Sequence, residues 1–341
     1  MTNPYREAGR VAEGDRFVGR ALLMRQIAST WQVPGRPSNA RVVGHHRVGK
    51  TSAVRRALDT MPPDASVIPV RLNVGSQDSG VDIFRSMVRR VLQATSGDRR
   101  LASVAHAIQG AEHWYDLLEG VKTFFASVKD ELGLNVLVVL DEFDRAASAF
   151  DRLGQFQLLR DLASEPDYSV GLITISRRDI EKIEIAATGG SILGGVVSTT
   201  RFVGMFSDAE VDSMLERSVE AGVSLHSGRS EIMEITGPHP FLLESFCKRI
   251  IEIYEVTGKI DVPEAYSQES PLIEAQFAKL LEAVNVDTES RGGVLLRDLA
   301  LGSKSALASP DLPRLRSTGI VIGNAPFSLE FGRFLTLRTG P

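Results

Sequence analysis

Residues 44–51 have the sequence GHHRVGKT and fit the phosphate-binding pattern G-x-x-x-x-G-K-[ST]. An apolar pair, Val42 and Val43, precedes this stretch, and residues 51–58 are predicted to form the helix behind it. The strand–loop–helix context that the pattern requires is therefore present. Glycines at both ends let the backbone N–H groups point inward, and the helix N-terminus adds partial positive charge. The sequence predicts a loop that binds the phosphates of a nucleotide.

Two polar side chains of this loop have expected roles. Lys50 is placed to reach the β- and γ-phosphates, and the Thr51 hydroxyl is placed to hold Mg²⁺. His45 and His46 lie between the glycines, where side chains mostly project outward. A solvated or packing role and a catalytic role both remain open for the two histidines.

An acidic cluster follows a second apolar run. Residues 136–140 read VLVVL, which is typical of a strand buried on both faces of a parallel sheet. Asp141 and Glu142 come directly after it, where open α/β sheets bind their ligands. We expect Asp141 to hold Mg²⁺ and Glu142 to orient or deprotonate the attacking water. The alternative is a solvated acidic turn.

Another predicted strand, residues 169–175, ends in Ser176, Arg177 and Arg178. A hydroxyl or guanidinium at that position can distinguish a triphosphate from a diphosphate. The alternative is a pair of solvated arginines. Residues 186–198 are rich in glycine and small side chains, and they are expected to form a mobile loop.

Composition limits the function classes. The chain has 341 residues, so more than one domain is expected. A net charge of −4 argues against wholesale coating of nucleic acid or anionic membrane. The single cysteine, Cys247, excludes an intrachain disulfide and favours a cytoplasmic location. We find no signal-peptide segment and no apolar stretch of 18 residues, so no membrane contact is expected.

The second half of the chain changes character at Ser207, where the sequence SDAE predicts a capping box at the start of a helix. Helices near 228–235 and 240–255 are separated by the sequence GPHP at 237–240. A third part is expected to begin with a helix near 271–284. It continues with further helices and ends in a hairpin whose strands are 319–322 and 327–331. Helices followed by such a hairpin suggest a winged helix.

Five motifs together resemble the signature set of STAND-type and archaeal-type ATPases, relatives of AAA+ and origin-recognition ATPases. They are FVGR at 17–20, the loop at 44–52, DEFD at 141–144, SR at 176–177 and GPHPFLL at 237–243. The resemblance covers about residues 17 to 335. The phosphate loop and the acidic strand are specific for P-loop NTPases in general, and the other elements narrow the choice to this branch.

The resemblance implies an α/β fold of the P-loop NTPase class (ASCE or AAA+-like). This fold is a parallel sheet of five strands with the phosphate-loop strand central and helices on both faces, followed by a helical lid and a winged-helix-like domain. The implied divisions are an N-terminal arm (1–16), which is no part of a core, the NTPase core (17–206), the lid (207–262) and the winged-helix-like domain (263–341).

The resemblance also implies a site for ATP or ADP with Mg²⁺. Val18 to Arg20 would lie near the adenine or ribose, Arg177 would be the first sensor, and His239 with Pro240 would touch the nucleotide. The candidate catalytic residues are Lys50, Glu142 and Arg177, and the candidate metal ligands are Thr51 and Asp141. The candidate nucleotide contacts are Val18, Gly19, Arg20, Gly44, His45, His46, Arg47, Val48, Gly49, Lys50, Thr51, Ser52, Ser176, His239 and Pro240.

The first functional hypothesis is a slowly hydrolysing STAND-type switch. Its ATP or ADP state would control self-assembly or a partner protein, and the resemblance suggests bacterial signalling or antiviral defence. If the chain assembles, Arg145, Arg177 or Arg178 would reach a neighbour's nucleotide. One departure concerns the histidine with which related switches sense diphosphate in the winged helix, because no histidine follows His239.

The second hypothesis is a DNA-binding ATPase that uses its winged helix. Residues 291–341 contain seven Lys or Arg against three Asp or Glu, an excess of four positive charges. This excess permits phosphate contacts. A packing role for the same domain is the alternative, and a third hypothesis is a nucleotide-binding scaffold without turnover. The presence of both Asp141 and Glu142 argues against the scaffold.

Overall fold

The computed structural model describes residues 3–32, 35–62 and 65–338. The first two residues of the expected arm and the last three of the expected C-terminal domain lie outside these ranges. The elements of the first part of the chain are α1 (Ala21–Ala28), β1 (Ala40–Val43), α2 (Lys50–Leu58), β2 (Val67–Asn73), α3 (Gly80–Ala94), α4 (Arg99–Gly110), α5 (Trp114–Leu132), β3 (Asn135–Asp141), α6 (Ala146–Ala149), α7 (Leu153–Ser164), β4 (Val170–Ser176), α8 (Ile180–Thr188) and β5 (Thr200–Phe202). Those of the second part are α9 (Asp208–Glu216), α10 (Arg229–Thr236), α11 (Pro240–Thr257), α12 (Val262–Asp287), α13 (Arg291–Ala300), α14 (Leu312–Ser317), β6 (Val321–Ile322), β7 (Ala325–Pro326) and α15 (Leu329–Arg338).

The chain divides into two compact units. The sheet unit comprises Leu22–Val43 and Ala53–Arg201. The helical unit comprises Met1–Ala21, Gly44–Ser52 and Phe202–Pro341. The phosphate loop is therefore grouped with the N-terminal segment and the C-terminal helices. The domain boundaries expected from the sequence stay predictions.

The sheet has five strands in the order β2-β3-β4-β1-β5, and it is the parallel sheet with flanking helices that the sequence predicts. One detail of the prediction is wrong. The phosphate-loop strand β1 lies between β4 and β5, one position from the edge, and β4 is the middle strand. Val43 at the end of β1 pairs with Ser176 at the end of β4.

Burial explains the two kinds of strand sequence. β3 is buried at five successive positions and carries a continuous apolar run, whereas every residue of β4 is buried although two of them, Thr174 and Ser176, are polar. The edge strand β2 alternates between buried and exposed residues, because only one of its faces is covered. Helices α3, α4, α5 and α7 contribute their apolar stripes to one core with β2, β3 and β4.

The glycine-rich segment 186–198 is not the loose loop that its composition predicts. Residues up to Thr188 belong to α8, and Leu193 and Val197 are fully buried. The Glu184 carboxylate, itself fully buried, accepts hydrogen bonds from the N–H groups of residues 192, 193 and 194 and from the Ser191 hydroxyl. A single buried acceptor therefore organises the segment.

The helical unit begins its C-terminal part with the predicted capping box. The Ser207 hydroxyl accepts the Glu210 N–H, and the Glu210 carboxylate accepts the Ser207 N–H. The break between α10 and α11 depends on Gly237, whose φ is +53°. A β-carbon there would lie 2.4 Å from the Phe327 carbonyl oxygen, so only glycine fits.

Two expectations for the C-terminal part are wrong. α12 is one continuous helix from Val262 to Asp287 and includes Pro271, so the expected third part does not begin with a new helix at 271. The hairpin exists as β6 and β7, two residues each, but the segment around Phe331 belongs to α15. Phe331 is helical because it packs with Phe277, Phe327 and Phe334 in an aromatic cluster. The winged-helix assignment stays a prediction.

None of the helices between residues 3 and 338 combines the length and the apolar character needed to cross a bilayer.

Candidate nucleotide-binding site

The phosphate loop owes its path to glycines at its two ends. Gly49 has a φ of +92°, which disfavours any residue with a β-carbon. A β-carbon at Gly44 would lie 2.4 Å from the Val203 carbonyl oxygen, so the close approach of the segment after β5 requires glycine at position 44. Lys50 Nζ donates to the carbonyl oxygens of Gly44 and His45 at 2.9 and 2.7 Å.

The FVGR motif supports this loop from the side. Gly19 has a φ of +65°, and a β-carbon there would collide with the Glu210 side chain at 2.4 Å. The Arg20 guanidinium donates to the carbonyl oxygens of Val48, Gly204 and Met205 at 3.1, 2.8 and 3.1 Å. Its burial lowers the pKa of Arg20, although the neighbouring Glu210 carboxylate acts in the opposite direction. Arg20 thus joins the loop to the segment after β5.

The N-terminal segment is part of the helical unit and not a detached arm. Tyr5 is fully buried, and its hydroxyl donates to the Met214 carbonyl oxygen at 2.7 Å. The Ala12 N–H donates to the Ser52 hydroxyl at 3.1 Å, which joins the segment to the first turn of α2. The expectation of an arm outside any core is wrong because its aromatic side chain fills a space beside α9.

A cleft lies within the helical unit. Its walls come from five pieces of chain: the N-terminal segment, the FVGR motif, the phosphate loop, the stretch from Phe206 to Met214 that includes most of α9, and the beginning of α11. The lining residues are Gly9, Arg10, Ala12, Arg16, Phe17, Val18, Arg20, Arg47, Val48, Gly49, Ser52, Phe206, Met214, Pro240, Phe241 and Glu244.

The cleft combines apolar walls with positive charge. The Arg47 guanidinium lies 4.0 Å from the centre of the Phe241 ring, a cation–π contact. A β-carbon at Gly9 would come within 2.9 Å of the same guanidinium, so the N-terminal segment passes directly over it. Glu244 is the acidic member of the wall, and burial raises its pKa while the Arg217 partner at 3.4 Å opposes that rise.

The three predicted histidines occupy buried or half-buried positions. His45 is 5% exposed, and its Nε2 lies 3.0 Å from the Thr318 hydroxyl. Burial lowers the pKa of His46, and the charges of Arg47 and Lys50 lower it further. His239 is fully buried, and burial lowers its pKa to about 3. His239 is therefore neutral at physiological pH.

These positions bear on the open question of the histidines. The structure places His45 and His239 in packing positions, against Thr318 and Phe327 respectively. Pro240 lines the cleft, whereas the His239 ring is turned into the unit interior. Their contacts with a nucleotide stay a prediction.

The acidic strand end lies in the sheet unit. Asp141 is the last residue of β3, and its Oδ1 accepts the Glu142 N–H at 2.8 Å. Glu142 is exposed and has a φ of +53°, an unfavourable backbone conformation for a side chain of this kind. A β-carbon at Gly75 would lie 2.4 Å from Glu142 Oε2, so glycine at 75 leaves room for the carboxylate.

The predicted nucleotide contacts are thus divided between the units. Val18 to Arg20, the loop 44–52 and Pro240 belong to the helical unit, while Asp141, Glu142, Ser176 and Arg177 belong to the sheet unit. Asp141 and Ser176 end the neighbouring strands β3 and β4, so these two lie at the same edge of the sheet. Mg²⁺ binding by Thr51 and Asp141 stays a prediction, since these residues lie one in each unit.

The comparisons agree with this fold. Residues 35–184 match the family model of the AAA domain. The Walker-type ATPase of Pyrococcus abyssi is similar over 95% of this chain and 97% of its own, with a TM-score of 0.58 at 16% identity. The chain has the fold of an archaeal-type AAA ATPase. Cdc6p from Pyrobaculum aerophilum is similar over 99% of this chain and 97% of its own, with a TM-score of 0.53 at 14% identity.

A third similar structure is the Orc2 protein of Aeropyrum pernix, solved in ADPNP–ADP complexes. It covers 97% of this chain and 89% of its own, with a TM-score of 0.51 at 14% identity. None of the curated proteins that were compared matches the sequence.

Sequence reasoning missed one organising residue of the segment that matches the AAA-domain model. Asp144 is 8% exposed, and its carboxylate accepts the N–H groups of Arg177 and Arg178 at 2.8 and 3.2 Å. It thereby fixes the chain that leaves β4, where the predicted first sensor lies. Arg177 Nε lies 3.7 Å from the same carboxylate, with about half of its side chain exposed. The sequence held one sign of this role: Asp144 is the second aspartate of the DEFD motif, in which Asp141 and Glu142 alone have assigned roles in Mg²⁺ binding and hydrolysis.

Proposed function

We propose that this chain binds ATP in the cleft of the helical unit and hydrolyses it slowly. The observation that carries the proposal is the common wall formed by the phosphate loop, the FVGR motif, the N-terminal segment and the start of α11. Apolar side chains such as Phe17 and Val18 suit a base or ribose, and the loop N–H groups suit phosphates. The Orc2 protein of Aeropyrum pernix, solved with ADPNP and ADP, has the same fold.

Each predicted group has one task in this proposal. Lys50 neutralises phosphate charge, and Glu142 takes a proton from the water that attacks the γ-phosphorus. The new oxygen–phosphorus bond forms as the bond to the β-phosphate oxygen breaks, which leaves ADP and phosphate. Thr51 and Asp141 offer the hard oxygen ligands that Mg²⁺ prefers, and the bound ion would supply charge neutralisation. Ser176 and Arg177 distinguish ATP from ADP.

Two substitutions test this assignment. Lys50→Ala is expected to abolish ATP retention, as measured by the nucleotide released when purified protein is denatured. Glu142→Gln is expected to keep ATP binding but to lower turnover by about 10² to 10⁴. Arg25→Ala is a suitable control, because this exposed side chain on α1 is neither a candidate catalytic residue nor a candidate nucleotide contact. ATP affinity equal to wild type in the Lys50 variant would refute the site.

We further propose a switch role, in which ATP and ADP favour different arrangements and thereby control self-assembly or a partner protein. This proposal extends the STAND resemblance, including the setting of bacterial signalling or antiviral defence. It is supported by the hydrogen bonds that join the phosphate loop to the C-terminal helices. Mass in solution under ATP and under ADP tests it, and identical assembly and partner binding in both nucleotides would contradict it.

DNA binding through residues 291–341 is the second candidate function. It is supported by the fold shared with Cdc6p. It is also supported by the exposed guanidinium of Arg316 in α14, which is held against the hairpin turn. Arg316 donates from Nε to the Gly323 carbonyl oxygen and from Nη2 to Asn324 Oδ1, so its charge is held at the turn. Two other cations of the segment have acidic partners: Arg291 pairs with Asp311 and Arg333 with Glu330.

The pairing decides how the DNA experiment is designed. Arg316→Glu should weaken salt-dependent DNA binding if the hairpin contacts phosphates, because the anchored charge is reversed. Arg333→Glu is a matched control, because the guanidinium of Arg333 on α15 already has Glu330 as an acidic partner. Equal DNA affinity in wild type and the Arg316 variant would leave the packing role as the function of this domain.

A further inference from the structure

Two buried side chains of the C-terminal part hold the phosphate loop through hydrogen bonds. The first is Thr318, which is 3% exposed and follows α14. Its hydroxyl lies within 3.2 Å of the carbonyl oxygens of Arg314 and Leu315, and it donates its hydrogen to them. The same hydroxyl oxygen lies 3.0 Å from His45 Nε2, so Thr318 and His45 share a buried hydrogen bond that holds the direction of the His45 ring.

The second residue is Gln276 on α12, which is also 3% exposed. Its Nε2 donates to the carbonyl oxygen of His46 at 3.2 Å. The same amide nitrogen lies 3.4 Å from His239 Nε2, at the start of α11. One side chain therefore contacts the loop backbone and the residue that begins the cleft-lining helix.

The neighbouring carbonyl of the loop, that of His45, has a different hydrogen-bond partner. The His45 carbonyl oxygen accepts from Lys50 Nζ at 2.7 Å, whereas the His46 carbonyl oxygen accepts from Gln276. Successive loop carbonyls thus have one partner inside the motif and one outside it. The His46 carbonyl is partly buried, and a carbonyl shielded from water that loses its partner costs free energy, so the loop path depends on α12.

We propose that Gln276 and Thr318 are positioning residues for phosphate binding, because they hold the loop at His45 and His46 in the path that the phosphates require. This inference rests on the proposed function, since it concerns the same cleft. Neither residue needs to touch the nucleotide. A loop that is already ordered loses less conformational entropy when it closes around phosphate.

The proposal has a reciprocal consequence. If the C-terminal helices favour nucleotide binding by ordering the loop, bound nucleotide must stabilise their contact with the loop by the same factor. Amide hydrogens of residues 270–280 and 312–318 are then expected to exchange more slowly with ATP present. The C-terminal helices would then respond to nucleotide in the phosphate loop through Gln276 and Thr318, although no histidine follows His239.

The experiment uses the full chain with Gln276→Met and Thr318→Val, separately and together. Gln268→Met is the matched control on α12, because this exposed amide only bonds Glu264 within the helix. Thr336→Val is the control for Thr318, since its hydroxyl makes only the local bond to the Arg333 carbonyl oxygen. Hydrogen exchange of residues 44–52 without nucleotide is measured first, and ATP affinity by titration second.

We expect faster exchange of the loop in both test variants, and ATP affinity about 3- to 10-fold weaker for each one. Thr318→Ser, which keeps the hydroxyl, should restore both values. The double variant should lose the slowing of exchange in residues 270–280 and 312–318 that ATP causes. A purely structural role would change overall stability but leave this ATP-dependent difference in place, and that result would overturn the proposal.

The two arms separate the inference from the function on which it rests. If the wild type does not bind ATP, the proposed function fails, but the exchange of residues 44–52 still shows whether Gln276 and Thr318 hold the loop. If the wild type binds ATP and the variants match their controls in both measurements, the function stands and the inference is wrong.

Discussion

Replacing Arg20 by methionine removes three hydrogen bonds that a single guanidinium makes to backbone carbonyls. They run to Gly204 at 2.8 Å and to Val48 and Met205 at 3.1 Å. Bonds from a charged donor contribute about 1.5 kcal/mol or more each, so about 4.5 kcal/mol is the sum if none is replaced. Water reaches part of this half-buried side chain, and the methionine stem keeps packing on Phe206. We therefore expect a loss of about 3 kcal/mol in the free energy of unfolding.

The same change should weaken ATP binding, because the Val48 carbonyl belongs to the phosphate loop. A loosened loop carbonyl is expected to raise the dissociation constant about 10-fold. Arg20→Lys should be only partly better than methionine, since one ammonium group cannot span three carbonyls held in a fork. Urea unfolding gives the stability, and titration with ATP gives the affinity.

Arg25→Met is the matched control, an exposed arginine of α1 five positions further along the chain. It should change stability by less than about 0.5 kcal/mol. If Arg20→Met and Arg25→Met have the same free energy of unfolding, Arg20 does not support the loop as its contacts indicate. Wild-type stability in Arg20→Lys would also refute the reasoning, because charge alone would then suffice.

Three further predictions concern buried polar groups. Glu184→Ala leaves four donors without their acceptor, so we expect stability to fall by about 3 kcal/mol and proteolysis to begin within 186–198; cleavage at the wild-type rate would contradict this. Asp144→Ala should cost about 2 kcal/mol and lower ATP turnover, because the chain after Ser176 loses its anchor; unchanged turnover would remove Asp144 from the site. His239 should make the folded protein less stable as pH falls from 6.5 towards 3, since the unfolded chain takes up a proton in that window and the folded one does not. The slope from this group is at most about 1.4 kcal/mol per pH unit, and unfolding at several pH values should show it flattened in His239→Gln, whereas an equal slope in the variant would contradict the burial argument.

Much of the fold could be predicted because local sequence carries it. The phosphate loop, the capping box at Ser207 and the break at 237–240 depend on neighbouring residues and on glycine, proline and hydroxyl chemistry. The buried strand β3 was predictable because its continuous apolar run of five residues fits a covered parallel sheet, and β4 was predictable from its valine and isoleucine content. These features need no knowledge of distant contacts.

Two of the wrong predictions have the same cause, which is a buried partner that lies outside the segment itself. Glycines at 189–195 suggest looseness, yet the buried carboxylate of Glu184 orders the segment. The alternation around Phe331 suits a strand, yet the ring packs against Phe277 fifty-four positions earlier in the numbering and the segment is helical. Tertiary packing outweighs local propensity in both cases.

The sequence by itself determined the chemistry of the loop at 44–51, because G-x-x-x-x-G-K-[ST] needs only glycine freedom, a lysine and a hydroxyl in one local turn. Only the tertiary structure decided what surrounds that loop. It brought Thr318 and Gln276 to the two histidines and Arg20 to Val48, and it laid the N-terminal segment along the cleft. No local sequence pattern predicts these contacts, because each joins residues that lie from 28 to 273 positions apart in the chain.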